Sequence, residues 1–247
     1  MPMRRTLLSA LLLAPVLRAA RASTGLDTLQ VPVRFHLVTG LTLLKGGQPL
    51  SGWVTPEDVQ ATLVPEVNRI WRPAGIEFVT EQVVRVASLQ PSNRAELLER
   101  IAAARRDEDG HADPQRVGWY EELLDFSEES SRSVNVHLVP YLGETSQGVA
   151  MPRQRRVLVG EWTDKATRAR QLPQRAQLAE EEPFREGSLG RTLAHELGHI
   201  LGLKHPNRNR QPGPARLMGG GRPGYHLTEE EIATARNAVL ALRGRRR

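Results

Sequence analysis

Apolar positions along the chain change their spacing several times, and each change marks a new element. In "VPVRFHLVTG" apolar side chains fall at Val31, Val33, Phe35 and Leu37, the two-residue period of a half-buried strand. "TPEDVQATLVPEVNRIWRPAG" switches to a helical stripe through Val59, Leu63, Val67, Ile70 and Trp71. Thr55 stands at the N-cap and Pro56 at the first helical position, while Pro65 predicts a kink and Gly75 a stop. "IEFVTEQVVRV" reads as a second strand and "SVNVHLVPYL" as a third; "GVAM" and "RVLVGE" are short enough to be an edge strand and its neighbour. Between the second and third strands, a charged helix over 95–106 and an irregular acidic stretch to Ser131 read together as a surface insertion at about 90–131. Residues 163–187, charge-rich and without an apolar period, read as another. Near the end, Ile232, Ala235, Val239 and Leu242 share one helical face behind a capping box of Thr228 and Glu231. Strands alternating with helices predict mixed α/β layers, here as a single domain over 23–243 with a basic tail at 244–247.

Charge changes this picture little. The net charge of +6 is concentrated at the ends: Arg4, Arg5, Arg18 and Arg21 at one, Arg243, Arg245, Arg246 and Arg247 at the other. Without these eight, 26 basic residues face 28 acidic ones, so the body is nearly neutral. No basic stripe with interleaved aromatics is visible, which argues against a nucleic-acid partner. "MPMRRTLLSALLLAPVLRAARAS" has a basic start, an apolar stretch from Leu7 to Leu17 and a small-x-small site at Ala20-Arg21-Ala22. It reads as an export signal over 1–22. The stretch is far short of the ~20 residues that span a bilayer, so no membrane anchor is expected after cleavage. Export predicts a periplasmic or extracellular protein. Arg4-Arg5 followed by Thr6-Leu7-Leu8 resembles a twin-arginine signal, and paired arginines also occur in ordinary secretory signals, so both routes stay open. The absence of cysteine leaves the core and any bound metal to hold the exported protein together.

The candidate chemistry is confined to "RTLAHELGHILGLKH", residues 191–205, which holds three of the seven histidines. On a helix advancing ~100° per residue, Leu189, Leu193, Leu197, Ile200 and Leu201 gather on one face. His195 and His199 emerge nearly opposite, which disfavours reading them as core histidines. Glu196 lies about 100° round from His195. Gly202 tolerates the left-handed conformation that ends a helix, so His205 can return to the same point. Three neutral imidazoles with a fourth position open to water suit a catalytic zinc, and an adjacent carboxylate suits a general base.

"HELGHILGLKH" matches H-E-x-x-H-x-x-G-x-x-H, and the chain therefore resembles the metzincin zinc peptidases. The resemblance in motif covers residues 191–218, and in order of elements about 31–243. It implies a twisted mixed sheet of about five strands with an antiparallel edge strand, a long N-terminal helix, an active-site helix and a C-terminal helix. It implies one Zn2+ held by His195, His199 and His205, Glu196 as catalytic base, and Met218 in "ARLMGGG" as the methionine turn beneath the histidines. An extended peptide or protein substrate would pair antiparallel with the edge strand, which falls on Gly148, Val149, Ala150 and Met151. The ending "LMGGGRPGYHLTEEEI" looks most like the matrixin subgroup, from which Pro206 after the third histidine departs. A calcium site belongs to the same analogy, but no acidic loop here has the spacing for one.

The remaining titratable candidates receive structural readings. Tyr225 follows the methionine later than a zinc-assisting tyrosine would, and is read as structural. His36 and His137 fall in strand patterns, His111 in a loop near Asp113, and His226 before a helix cap; none has a partner at metal-ligand spacing. Two alternatives to a peptidase use the same residues: a non-catalytic binding or adhesion module stabilised by zinc, and a zinc hydrolase of a non-protein amide.

Overall fold

Strand β1 (Leu29–Thr39) organises a five-stranded sheet. It runs parallel to β4 (Ile76–Ala87) on one side and to β5 (Val134–Val139) on the other, and β5 runs parallel to β7 (Arg156–Gly160). β6 (Gly148–Met151) closes the order β4-β1-β5-β7-β6 and is antiparallel to β7. This computed structural model describes residues 27–103, 114–142, 148–162, 188–206, 216–219 and 224–244. The expected export signal, the 163–187 insertion, His111 and the last three residues of the tail lie outside the described residues. No described helix is long and apolar enough to cross a membrane. The mixed sheet with an antiparallel edge strand is the architecture that the sequence predicted.

Alternation places Val31, Val33, Phe35 and Leu37 of β1 on one sheet face with Val134, Val136 and Leu138 of β5. Three helices cover that face: α2 (Val64–Trp71), α5 (Leu189–Ile200) and α6 (Glu229–Gly244). Burying each such aliphatic side chain contributes roughly 1.5–3 kcal/mol. The first helix differs from its prediction in an instructive way. Thr55 caps α1 (Pro56–Asp58) through a reciprocal capping box with Asp58. Val59–Leu63 then winds as a π-helix, with the Val64 N–H bonded to the Val59 carbonyl, before α2 resumes around Pro65. Pro65 has no N–H to donate, and its ring would press on the preceding turn of a regular helix. A single widened turn gives it room, where the sequence suggested a kink. Gly75 ends the segment at φ 60, as expected.

The other sheet face was not legible as a core. Here α3 (Arg94–Ala103), α4 (Pro114–Leu123) and a hairpin of β2 (Thr42–Lys45) and β3 (Gln48–Ser51) enclose a second hydrophobic cluster. Gly46 and Gly47, both at positive φ, make the hairpin turn. Leu97, Ile101, Tyr120 and Leu123 are buried, and the Tyr120 hydroxyl donates to the Tyr141 carbonyl. The stretch read as irregular up to Ser131 therefore contains a helix that packs on the sheet. Its apolar residues crowd at one end, around Trp119–Leu124, which hides the helical period. Because this layer covers it, β1 is buried on both faces from Phe35 to Val38, not half-buried throughout.

Beneath that layer lies a buried polar network. The rings of His36 and His137 stack 4.2 Å apart. His36 Nε2 donates to Asn135 Oδ1 at 3.2 Å, and His137 Nε2 meets Glu129 Oε1 at 2.9 Å. Arg156 grips Glu129 with two nitrogens, at 2.5 and 2.9 Å, and lies over the Phe126 ring. Burial, and then the neighbouring His137, lower the His36 pKa to about 4, so the ring is neutral at pH 7. Burial also lowers His137. A histidine that binds its proton less readily folded than unfolded contributes stability fully above pH 6.5, and loses it as the pH falls toward 4. For His36 the loss between pH 6.5 and 4 is on the order of 2 kcal/mol. His36→Gln keeps a donor for Asn135 but cannot titrate, so its denaturation midpoint should fall less than the parent's over this interval. Equal slopes for the two proteins would contradict the assignment.

Candidate metal centre

Helix α5 is fixed at its start by a buried carboxylate from α2. Ser188 is its N-cap: the hydroxyl accepts the Arg191 main-chain N–H at 3.0 Å and donates to Glu66 Oε1 at 2.5 Å. Burial pushes the Glu66 carboxyl up to about 7, against the opposing Ser188 hydrogen bond. The helices can approach this closely because residue 190 is glycine; a Cβ there would overlap the Glu66 carboxylate. A second tie runs from Trp71 Nε1 to the Ala194 carbonyl at 3.2 Å. With Leu189, Leu193, Leu197 and Ile200 in the main core, His195 and His199 emerge partly buried on the other side.

The helix then ends as its glycine allows. Gly202 takes φ +83, its N–H bonds to the His199 carbonyl at 3.0 Å, and the Leu203 N–H bonds to the Gly198 carbonyl at 2.9 Å. The reversed chain carries His205, which is exposed, back to the helix. His205 Nε2 lies 3.0 Å from His195 Nε2 and 3.2 Å from His199 Nε2. Both helical rings are oriented by main-chain carbonyls: His195 Nδ1 donates to Leu217 O at 2.8 Å, and His199 Nδ1 to Leu203 O at 2.9 Å. With the proton on Nδ1, each presents a bare Nε2 lone pair to the common point.

This donor set fits a metal ion. Two nitrogens each ~2.0–2.1 Å from one ion, at the tetrahedral angle, lie about 3.3 Å apart, close to the two spacings found. One His205 N–H cannot serve two lone pairs well, whereas a cation satisfies all three. Burial lowers the pKa of His195 to about 3 and lowers that of His199, so both rings are neutral, as ligands must be. Among the described residues, these three form the one group of three or more His, Cys, Asp or Glu whose ligand atoms lie within 4.8 Å of one another.

Glu196 is buried beside the triad, and burial pushes its carboxyl up to about 8, with Arg191 opposing. Edge strand β6 begins directly against it: a Cβ at Gly148 would stand 2.6 Å from Glu196 Oε1 and closer still to its Cγ. Val149, Ala150 and Met151 continue the strand half-buried, Ala150 against the main core and Met151 against the second. Met218 is buried under the motif helix, and a Cβ at Gly198 would come 2.7 Å from its Sδ. Tyr225 packs against the main core and the ring of His226, which is exposed. Three features escaped the sequence reading: the Leu203 and Leu217 carbonyls, the Glu66 clamp, and Arg191. Only Arg191 left a trace, as a lone charge one turn before His195.

No family model matches the chain, and no curated protein matches it. Among solved structures, one that it resembles is a zinc-dependent peptidase from Methanocorpusculum labreanum. The identity is 9%, the match covers 82% of this chain and 99% of that one, and the TM-score is 0.38. At that level the two share a general likeness, and nothing about the chemistry of this chain follows from it.

The contact between Gly148 and Glu196 predicts that Gly148→Ala costs about 1–3 kcal/mol by overpacking. Gly118→Ala, in α4 with open space around it, should instead stabilise by about 0.5–1 kcal/mol. Thermal denaturation of the two variants distinguishes them; a Gly148→Ala protein as stable as the parent would show that the strand does not press on the carboxylate.

Proposed function

We propose that this chain is an exported zinc-dependent endopeptidase of the metzincin type. The observation that carries the reading is the convergence of three imidazole Nε2 atoms, two of them aimed by main-chain carbonyls, beside one buried carboxylate. His195, His199 and His205 would hold the ion. Zinc bound there supplies a Lewis acid and a water whose pKa is lowered to ~7. Glu196, which the charge of a bound cation would favour in its ionised form, would take a proton from the attacking water and return it to the leaving amine. Its burial keeps bulk water from competing for that proton. Met218 packs as a floor against Gly198 of the ligand helix.

The substrate we propose is an extended peptide segment. Among the described residues β6 is the last strand in the sheet order, and it starts on Glu196. A strand added along Gly148–Met151 by main-chain hydrogen bonds would run past the carboxylate. Support for export comes from the residue pattern of 1–22 alone, and it puts the enzyme in the periplasm or outside the cell.

The decisive variant is Glu196→Ala. Mature protein should cleave a general protein substrate and lose that activity to a chelator. The variant should retain zinc and lose activity by about 10²–10⁴-fold, measured as peptide hydrolysis against bound metal. A zinc-loaded parent that leaves a broad peptide library intact would overturn the peptidase reading.

A further inference from the structure

We propose that Arg191 is a positioning residue for the metal centre: its guanidinium holds the Leu217 carbonyl in place, and that carbonyl holds the His195 ring. This rests on reading the three histidines as a metal site.

Arg191 precedes His195 by four residues on α5, so the two side chains leave the same side of the helix, one turn apart. Its Nε donates to the Gly224 carbonyl at 2.8 Å and its Nη2 to the Leu217 carbonyl at 3.2 Å. One planar group thus joins the residue just before Met218 to a residue six positions after it. The Leu217 oxygen is the atom to which His195 Nδ1 donates, at 2.8 Å. A carbonyl has two lone pairs, so it can serve both donors. Other ties of this turn involve different atoms. The Leu217 N–H bonds to the His226 carbonyl, the Gly219 N–H to the Arg216 carbonyl, and Arg216 pairs with Glu231. Arg191 and His195 thus converge on the Leu217 oxygen from the same helix.

The base of this strut is rigid, because the Arg191 main-chain N–H is bonded to the Ser188 cap. Its location is otherwise unfavourable. A cation in the first turn opposes the helix dipole, which favours negative charge there. The guanidinium fork can meet two acceptors in fixed directions at once, which an ammonium cannot. Without it, the Leu217 carbonyl is free to tilt, and the His195 ring can rotate its Nε2 away from the other two.

The test uses full-length mature protein with Arg191→Met, which removes the donors at similar length, and Arg191→Lys, which keeps the charge without the fork. Zinc affinity is measured by competition with a chromophoric chelator, and ligand geometry by the visible absorption of the cobalt(II)-substituted protein. Zinc affinity should fall about 10–100-fold in Arg191→Met and by a smaller factor in Arg191→Lys, with an altered cobalt spectrum in both. A merely structural arginine would lower the melting temperature of the metal-free protein and leave affinity and spectrum unchanged, and that result overturns the proposal. If Arg191→Met does not fold, Arg191→Lys decides: parental affinity in it overturns the proposal. A parent protein that binds no zinc would overturn the metal-site reading itself.

Discussion

His195 and His199 each donate a ring N–H to a main-chain carbonyl, and the rest of the chain is arranged to put those two carbonyls where they are. Leu203 O is supplied by the reversal at Gly202, and Leu217 O by the turn that carries Met218. Each hydrogen bond fixes a tautomer and a ring plane together, so that Nε2, and not Nδ1, faces the common point. Orienting partners of this kind raise ligand basicity and hold the ring still. The two rings also differ in what secures them. The carbonyl for His199 lies four residues away on the same turn, whereas that for His195 lies 22 residues along the chain. The first geometry forms with the helix terminus; the second needs tertiary structure.

That tertiary structure is a stack in which α5 is held from three directions. The sheet lies beneath it, α2 meets it through Glu66, Gly190 and Trp71, and β6 meets it through Gly148. Two glycines therefore act by what they lack: each lets a carboxylate sit where a methyl group would otherwise be. The polar network of His36, His137, Glu129 and Arg156 lies on the opposite sheet face, beneath α3 and α4. The stacked histidines and the triad therefore lie in different layers of the fold.

Much of this arrangement was legible in the sequence because it is written in local patterns. The alternation in β1, the caps at Thr55 and Thr228, the short antiparallel edge strand and the spacing of His195, His199 and His205 all depend on residues close together in the chain. The Thr228–Glu231 capping box appears as expected, with Glu231 accepting from the Thr228 N–H. What stayed illegible depends on long-range contact. The apolar residues of α4 have too short a run to show a period until the sheet face they cover is known. The Gly46-Gly47 hairpin was overlooked even though its signal was local. Arg191 could be seen as an odd charge, but its acceptors are carbonyls, which carry no residue signature. Glu66 looks like an ordinary surface glutamate within its helix, and only its burial against Ser188 shows otherwise.

The widened turn at Val59–Leu63 has a consequence for chain length. A π-turn holds one more residue than an α-turn, so it works as a phase adjuster: everything after it is rotated relative to an uninterrupted helix. Deleting one residue from this turn would shift Glu66 and Trp71 by ~100°, carrying the carboxylate off Ser188 and the indole off Ala194. The azimuth of the histidine-bearing helix is therefore encoded partly as a residue count in another helix, at a site where substitutions that preserve length are far safer than deletions.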